Sequence, residues 1–159
     1  MTSRREIYNE RYYKIAALID ALPGVSVPAQ LPEVTIVGDS IQFNVDAAEF
    51  GDDLERATAT FVQRCSARGL PVELFGSPNN ARNFKNWKYA AQPECGLPRT
   101  HHIIQRAFDV RLPISFDQAD LDTIVTIIKE ELADLIEEFT TSNEVLNVPK
   151  TKPVTQYAR

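Results

Sequence analysis

Residues 79–89 hold the most chemically distinctive stretch of this sequence. Asn79, Asn80, Ala81, Arg82, Asn83, Phe84, Lys85, Asn86, Trp87, Lys88 and Tyr89 bring together three cations, four asparagines and three aromatics, with no acid. An arginine can grip a carboxylate or phosphate through two parallel N–H bonds, and amide side chains can fix a ligand's orientation. One reading is therefore an anion-binding or substrate-binding loop. A second is an irregular surface loop whose aromatics dock on the core. A third is base stacking between cations, as in single-strand binding.

Other chemistries find less support. His101 and His102 are adjacent, so on a helix they point about 100 degrees apart and cannot form an i, i+4 metal pair. Cys65 lies on an apolar stripe and reads as a small buried hydrophobe. Two cysteines, Cys65 and Cys95, make neither a disulfide framework nor a metal cluster. The pairs Asp52-Asp53 and Asp117/Asp120 sit where helices begin, and the helix dipole favours negative charge there. No Ser-His-Asp arrangement is implied, and no glycine-rich phosphate loop is found among six glycines.

The whole chain bounds these readings. It has 159 residues, is 43% hydrophobic and 25% charged, and carries a formal net charge of -5. That suits one globular domain with or without a tail. A pI near 5.1 argues against a dedicated nucleic-acid binder. No apolar run approaches the roughly 20 residues that span a bilayer, so no membrane partner is expected. Met1 leads into polar residues with no secretory signal, and the chain reads as cytoplasmic with reduced thiols.

The elements that must position the loop are punctuated clearly. Ser3 and Glu6 have capping-box spacing, and Tyr8, Tyr12, Ile15, Ile19 and Leu22 follow on one face until Pro23-Gly24. Val25 and Val27 suggest an edge strand. Val34 to Val37 and Ile41 to Val45 read as a hairpin turning at Gly38, with Ile41, Phe43 and Val45 buried. Leu54, Ala57, Thr58, Phe61, Val62 and Cys65 form a second helical stripe ended by Gly69. Leu70 to Phe75 reads as a strand. Thr100 is placed to cap a short helix carrying Ile103, Ile104 and Ala107. Val110 to Pro113 reads as a short strand. Leu121, Ile124, Val125, Ile128, Leu132, Leu135, Ile136 and Phe139 mark a long last helix opened by Asp117 and Asp120. Residues 140–159 lose the period and read as a flexible tail. The expected fold is α+β: a two-layer sandwich of a small, mostly antiparallel sheet covered by helices over residues 1–139.

The order of these motifs resembles the C-terminal small domain of fold-type-I, pyridoxal-phosphate-dependent aminotransferases, most closely the DegT/DnrJ/EryC1/StrS group. The resemblance rests on Leu22-Pro23-Gly24-Val25 closing the first helix, and on Cys65-Ser66-Ala67-Arg68-Gly69-Leu70-Pro71-Val72. It continues in Leu97-Pro98-Arg99-Thr100 and in Phe108-Asp109-Val110-Arg111-Leu112-Pro113-Ile114 before the helix from Asp117. It covers residues 4 to about 139.

In that family a preceding large domain supplies the Schiff-base lysine, the acid that pairs with the pyridine nitrogen, and the phosphate-binding loop. None of these parts precedes Arg4. Lys14, Lys85, Lys88, Lys129, Lys150 and Lys152 lie on helix faces, in the loop or in the tail. The family's histidine-containing segment after the third strand is not recognisable, and Asn79 to Tyr89 stand in its place. The resemblance therefore implies the small-domain portion of a split or truncated aminotransferase, which positions substrate but lacks the lysine domain. The alternative is a free-standing binding or regulatory module derived from that domain. Pyridoxal phosphate belongs to the complete enzyme, with none expected on this chain alone. The expected partner is a large-domain chain or a second copy, with no nucleic acid. By position and chemistry, Arg82 would clamp an anionic group, Asn80 and Asn83 would orient polar atoms, and Trp87 would supply an apolar wall. This is positioning rather than bond making.

Overall fold

The first helix, α1 (Arg4–Asp20), begins at the expected capping box. The Glu6 N–H donates to Ser3 Oγ at 3.3 Å, and the Ser3 N–H donates to the Glu6 carboxylate at 2.6 Å. Hydrogen bonding of the Glu6 carboxylate to the Ser3 backbone N–H, and then to the Ser3 hydroxyl, holds that carboxyl below its ordinary value. The structure is a computed structural model describing residues 3–34, 36–91 and 96–146. Tyr12, Ile15 and Ile19 of α1 are buried. Gly24, at φ +69°, turns the chain out of the helix into strand β1 (Val25–Ser26).

The hairpin expected at Gly38 does not form among the described residues; Thr35 lies outside them. Described residues between Val27 and Gly38 instead lie back along α1. The Val27 N–H donates to the Asp20 carboxylate, Gln30 Nε2 to the Tyr12 hydroxyl, and the Gly38 N–H to Asn9 Oδ1. Gly38 is needed for close approach rather than for a turn. A Cβ there would lie 2.4 Å from Tyr12 Cβ, inside any tolerable contact. Strand β2 (Ser40–Val45) then pairs antiparallel with β1, Val25 opposite Val45.

Two 3₁₀ turns, Ala47–Glu49 and Gly51–Asp53, lead into α2 (Leu54–Ala67), so Asp52 and Asp53 do stand at its start. Leu54, Ala57, Thr58, Phe61 and Cys65 face inward. Burial pushes the Cys65 thiol up to about 12, which fits an inert core residue. Of the strand expected over 70–75, only β3 (Glu73–Leu74) is paired. Helix α3 (Pro98–Ile104) starts with Pro98 in its first turn, and Thr100 lies inside it rather than capping it. The proline fits because the first helical N–H has no partner to lose.

The strand expected over 110–113 starts earlier, as β4 (Ala107–Arg111), and lies in the middle of the sheet. The order is β1-β2-β4-β3, with every pair antiparallel. Helix α4 (Gln118–Leu146) opens with a reciprocal cap: the Asp117 N–H donates to Asp120 and the Asp120 N–H to Asp117. The helix continues past Phe139, where its apolar stripe ends, to Leu146. Residues 147–159, the rest of the expected tail, lie outside the described residues.

The core is one cluster between the helix layer and one face of the sheet. It joins Ile15 of α1, Phe43 of β2, Phe61 of α2, Phe108 of β4 and Leu135 of α4. The fold is the α+β two-layer sandwich that the pattern predicts.

Candidate functional site

The asparagine-rich segment begins beside β4. The Phe75 N–H donates to the Ala107 carbonyl at 2.9 Å, and the Gly76 N–H to the Ile104 carbonyl at 2.7 Å. From there the chain winds tightly. The N–H groups of Asn80, Asn83 and Asn86 donate to the carbonyls of Ser77, Asn80 and Asn83, each at 2.9–3.0 Å.

The asparagine side chains repeat the pattern inside the loop. Asn80 Nδ2 donates to the Leu74 carbonyl, while its Oδ1 accepts from the Arg82 N–H. Asn83 is buried; its Nδ2 donates to the Gly76 and Ser77 carbonyls and its Oδ1 accepts from the Lys85 N–H. Asn86 Nδ2 donates to the Pro78 and Asn80 carbonyls. Trp87 Nε1 donates to the Ala81 carbonyl at 2.8 Å, leaving its ring 50% exposed. These amides satisfy backbone groups that a loop would otherwise leave to water, so the segment holds its shape around a short 3₁₀ turn, Phe84–Asn86. Phe84 docks inward, as the surface-loop reading requires.

The structure thus brings Asn80, Arg82 and Asn83 together at the rim of a cleft of about 1110 Å³. Trp87 is outside that lining. Further walls come from Val62 of α2, Glu73 of β3, His101 of α3, Gln105 just beyond it, and Arg111 of β4. Arg82, together with Lys85, is the loop's contribution of charge. Its guanidinium lies 4.7 Å over the Phe75 ring, 3.5 Å from Glu73 Oε2 and 3.5 Å from Asp109 Oδ2.

The sequence pattern gives Glu73, Asp109 and Arg111 no site role, and it presents His101 only as one of two adjacent histidines unsuited to a metal pair. One signal was present: Asp109 stands between Phe108 and Val110, a carboxylate flanked by apolar residues and so on the opposite face of the strand. His101 Nδ1 is buried with no hydrogen-bond partner among the described residues, and His102 is exposed. No group of three His, Cys, Asp or Glu among the described residues could hold a metal ion.

Comparison with known proteins matches this architecture. No protein-family model and no curated protein matches the sequence. Among solved structures, the chain is similar to 3-amino-5-hydroxybenzoic acid synthase, with a TM-score of 0.64 and 15% identity over 82% of this chain and 35% of that one. It is similar to the aminotransferase TlmJ from Streptoalloteichus hindustanus, with a TM-score of 0.60 and 15% identity over 82% of this chain and 32% of that one. A DegT DnrJ EryC1 StrS aminotransferase from Brucella abortus gives 0.58 and 13% over 79% and 30%. The chain has the fold of an aminotransferase small domain. It spans about a third of the length of the enzymes it matches.

The described residues do not fit a covalent cofactor anchor. A Schiff-base lysine needs a dry pocket to lower its pKa, and Lys14, Lys85, Lys88 and Lys129 are all exposed. Lys150 and Lys152 lie outside the described residues. Among the described residues, no helix is long and apolar enough to cross a membrane.

Proposed function

We propose that this domain serves as the small domain of a pyridoxal-phosphate-dependent aminotransferase of the DegT/DnrJ/EryC1/StrS type, covering and positioning substrate. The lysine and cofactor come from a large domain outside these 159 residues. The observation that carries this reading is the fold match, which spans about a third of complete aminotransferases.

The surface of α1 supports it. Tyr13 and Leu18 project outward from α1, and Leu31, Val34 and Val37 stand exposed on the segment that runs along it. Apolar side chains on both sides of one helix call for a second packing partner. In this role Arg82 meets an anionic part of the substrate, Asn80 and Asn83 hold the loop that presents it, and Trp87 offers an apolar wall at the loop's outer side. Their work is orientation and exclusion of water, with bond making left to the large domain.

The test is to isolate the chain from its native source under mild conditions. The expected result is a stoichiometric complex with a pyridoxal-phosphate protein that transfers amino groups, disrupted by Leu18→Asp. A soluble, monodisperse chain with no such partner would overturn the reading and leave an independent binding module.

A further inference from the structure

Two guanidinium groups converge on one buried oxygen. Asp109, in the middle of central strand β4, is 1% exposed. Its Oδ1 accepts from Gln42 Nε2 at 3.3 Å, across the β2–β4 register. Its Oδ2 has no hydrogen-bond donor among the described residues. Arg82 Nη1 nevertheless lies 3.5 Å from that oxygen and Arg111 Nε 3.9 Å. These are ion-pair distances, longer than a charge-assisted hydrogen bond.

Each arginine also has a solvent-side carboxylate. Arg82 Nη1 is 3.5 Å from Glu73 Oε2, and Arg111 Nη1 is 3.2 Å from Asp39 Oδ2. The Glu73 and Asp39 side chains are 58% and 51% exposed. Each guanidinium therefore has a fixed, buried carboxylate behind it and a replaceable, hydrated one in front. Both arginines line the same cleft. Phe75 lies under the Arg82 guanidinium, and Asn80 Oδ1 pins the Arg82 backbone.

We propose that Arg82 and Arg111 form a two-arginine site for a phosphate group on the ligand of this cleft, with Asp109 as the buried counter-charge that aims both. One guanidinium fork saturates the two oxygens of a carboxylate, whereas two forks from different elements suit a tetrahedral group with three free oxygens. When the phosphate enters, Glu73 and Asp39 release the arginines and rehydrate. Asp109 cannot leave, so it keeps the forks in place. The inference rests on the reading of Arg82 as the clamp on an anionic group, and it adds the second clamp and the class of anion.

The test uses inorganic phosphate and the full 159-residue chain, followed through the arginine Nε–H resonances at constant ionic strength. The Arg82 and Arg111 signals should move together and saturate with one dissociation constant. Arg82→Gln and Arg111→Gln should each weaken binding about tenfold or more, and Arg111→Lys should recover only part of the loss, since it restores charge without the fork. Asp109→Asn should displace both guanidinium signals before any phosphate is added. Acetate should bind more weakly than phosphate. Binding unchanged in Arg111→Gln would overturn the site, as would non-saturating shifts shared equally with Lys85 and Lys88. This measurement needs no large domain. Failed phosphate binding beside an intact cofactor-bearing complex refutes only the site; saturable binding without any such complex refutes only the aminotransferase reading.

Discussion

On one face of the sheet, Phe43 of β2 stacks on Phe108 of β4 at 5.4 Å, and Phe61 of α2 meets Phe108 edge-on at 5.0 Å. One residue out of step, on the other face, Gln42, Asp109 and Glu73 form a polar row across β2, β4 and β3. The first face is covered by helices; on the second, Arg82 of the loop reaches the buried Asp109 while Gln42 and Glu73 stay exposed. Strand alternation makes both from the same strands, yet they are held differently. The aromatic face is held by volume and exclusion of water, which are tolerant of direction. The polar face is held by paired charges and amides, each of which depends on its partner's position.

The largest effect should come from the aromatic face. Phe108→Ala removes a fully buried ring at the centre of the cluster and should cost about 3–5 kcal/mol in urea unfolding. A smaller loss than at the polar face would break the comparison. Asn83→Ala leaves the Gly76 and Ser77 carbonyls without their side-chain donor, a penalty of about 1–3 kcal/mol. It should appear as faster hydrogen exchange at Lys85, Asn86 and Trp87, with the amides of Phe43 and Phe108 unmoved. If all exchange together, the two faces unfold as one unit and the distinction between them is lost.

Cys65 sharpens the contrast from the helix side. In a Cys95→Ser chain, alkylation of Cys65 near neutral pH should track global unfolding, because the thiol is buried and keeps its proton. The folded value of about 12 lies above the ordinary 9.0. The stabilisation it reflects is therefore complete below pH 9.0 and is lost as pH rises towards about 12. Rapid labelling of the native chain would show that the helix-covered face opens locally. The smallest effect belongs to the surface. Arg68 bridges α2 to Glu130 and Glu131 of α4 at 2.7 and 3.0 Å. Arg68→Ala should cost below about 1 kcal/mol, and less in high salt.

The aromatic face was largely legible in the sequence. Ile41, Phe43 and Val45 announced their shared direction by alternation, and the stripes of α2 and α4 by their helical period. The polar site was legible only in part. The composition of residues 79–89 singled out the loop and its Arg82, which the fold sets at the rim of the cleft. It gave no sign that Asn80 and Asn83 would spend their amides inside the loop, because a hydrogen-bond partner is not encoded in residue type. Arg111 stood in a recognised strand segment, but nothing local linked it to Arg82.

What the sequence by itself determined is what neighbours along the chain decide. The Ser3/Glu6 and Asp117/Asp120 caps, the buried stripe with Cys65 and the closing glycine at position 69 all depend on residues within a turn or two. Only the tertiary structure decided that β2 pairs with β1 and β4 rather than with Val34, Ile36 and Val37. It also decided that Gly38 is kept small by Tyr12, and that Arg82 and Arg111 share the oxygen of Asp109. Gln42 and Asp109 are 67 residues apart in the chain. Such a pairing is chosen by which sheet register buries the aromatic face, since a slip of one residue between β2 and β4 would turn Phe43 or Phe108 outward. The polar row then follows on the opposite side.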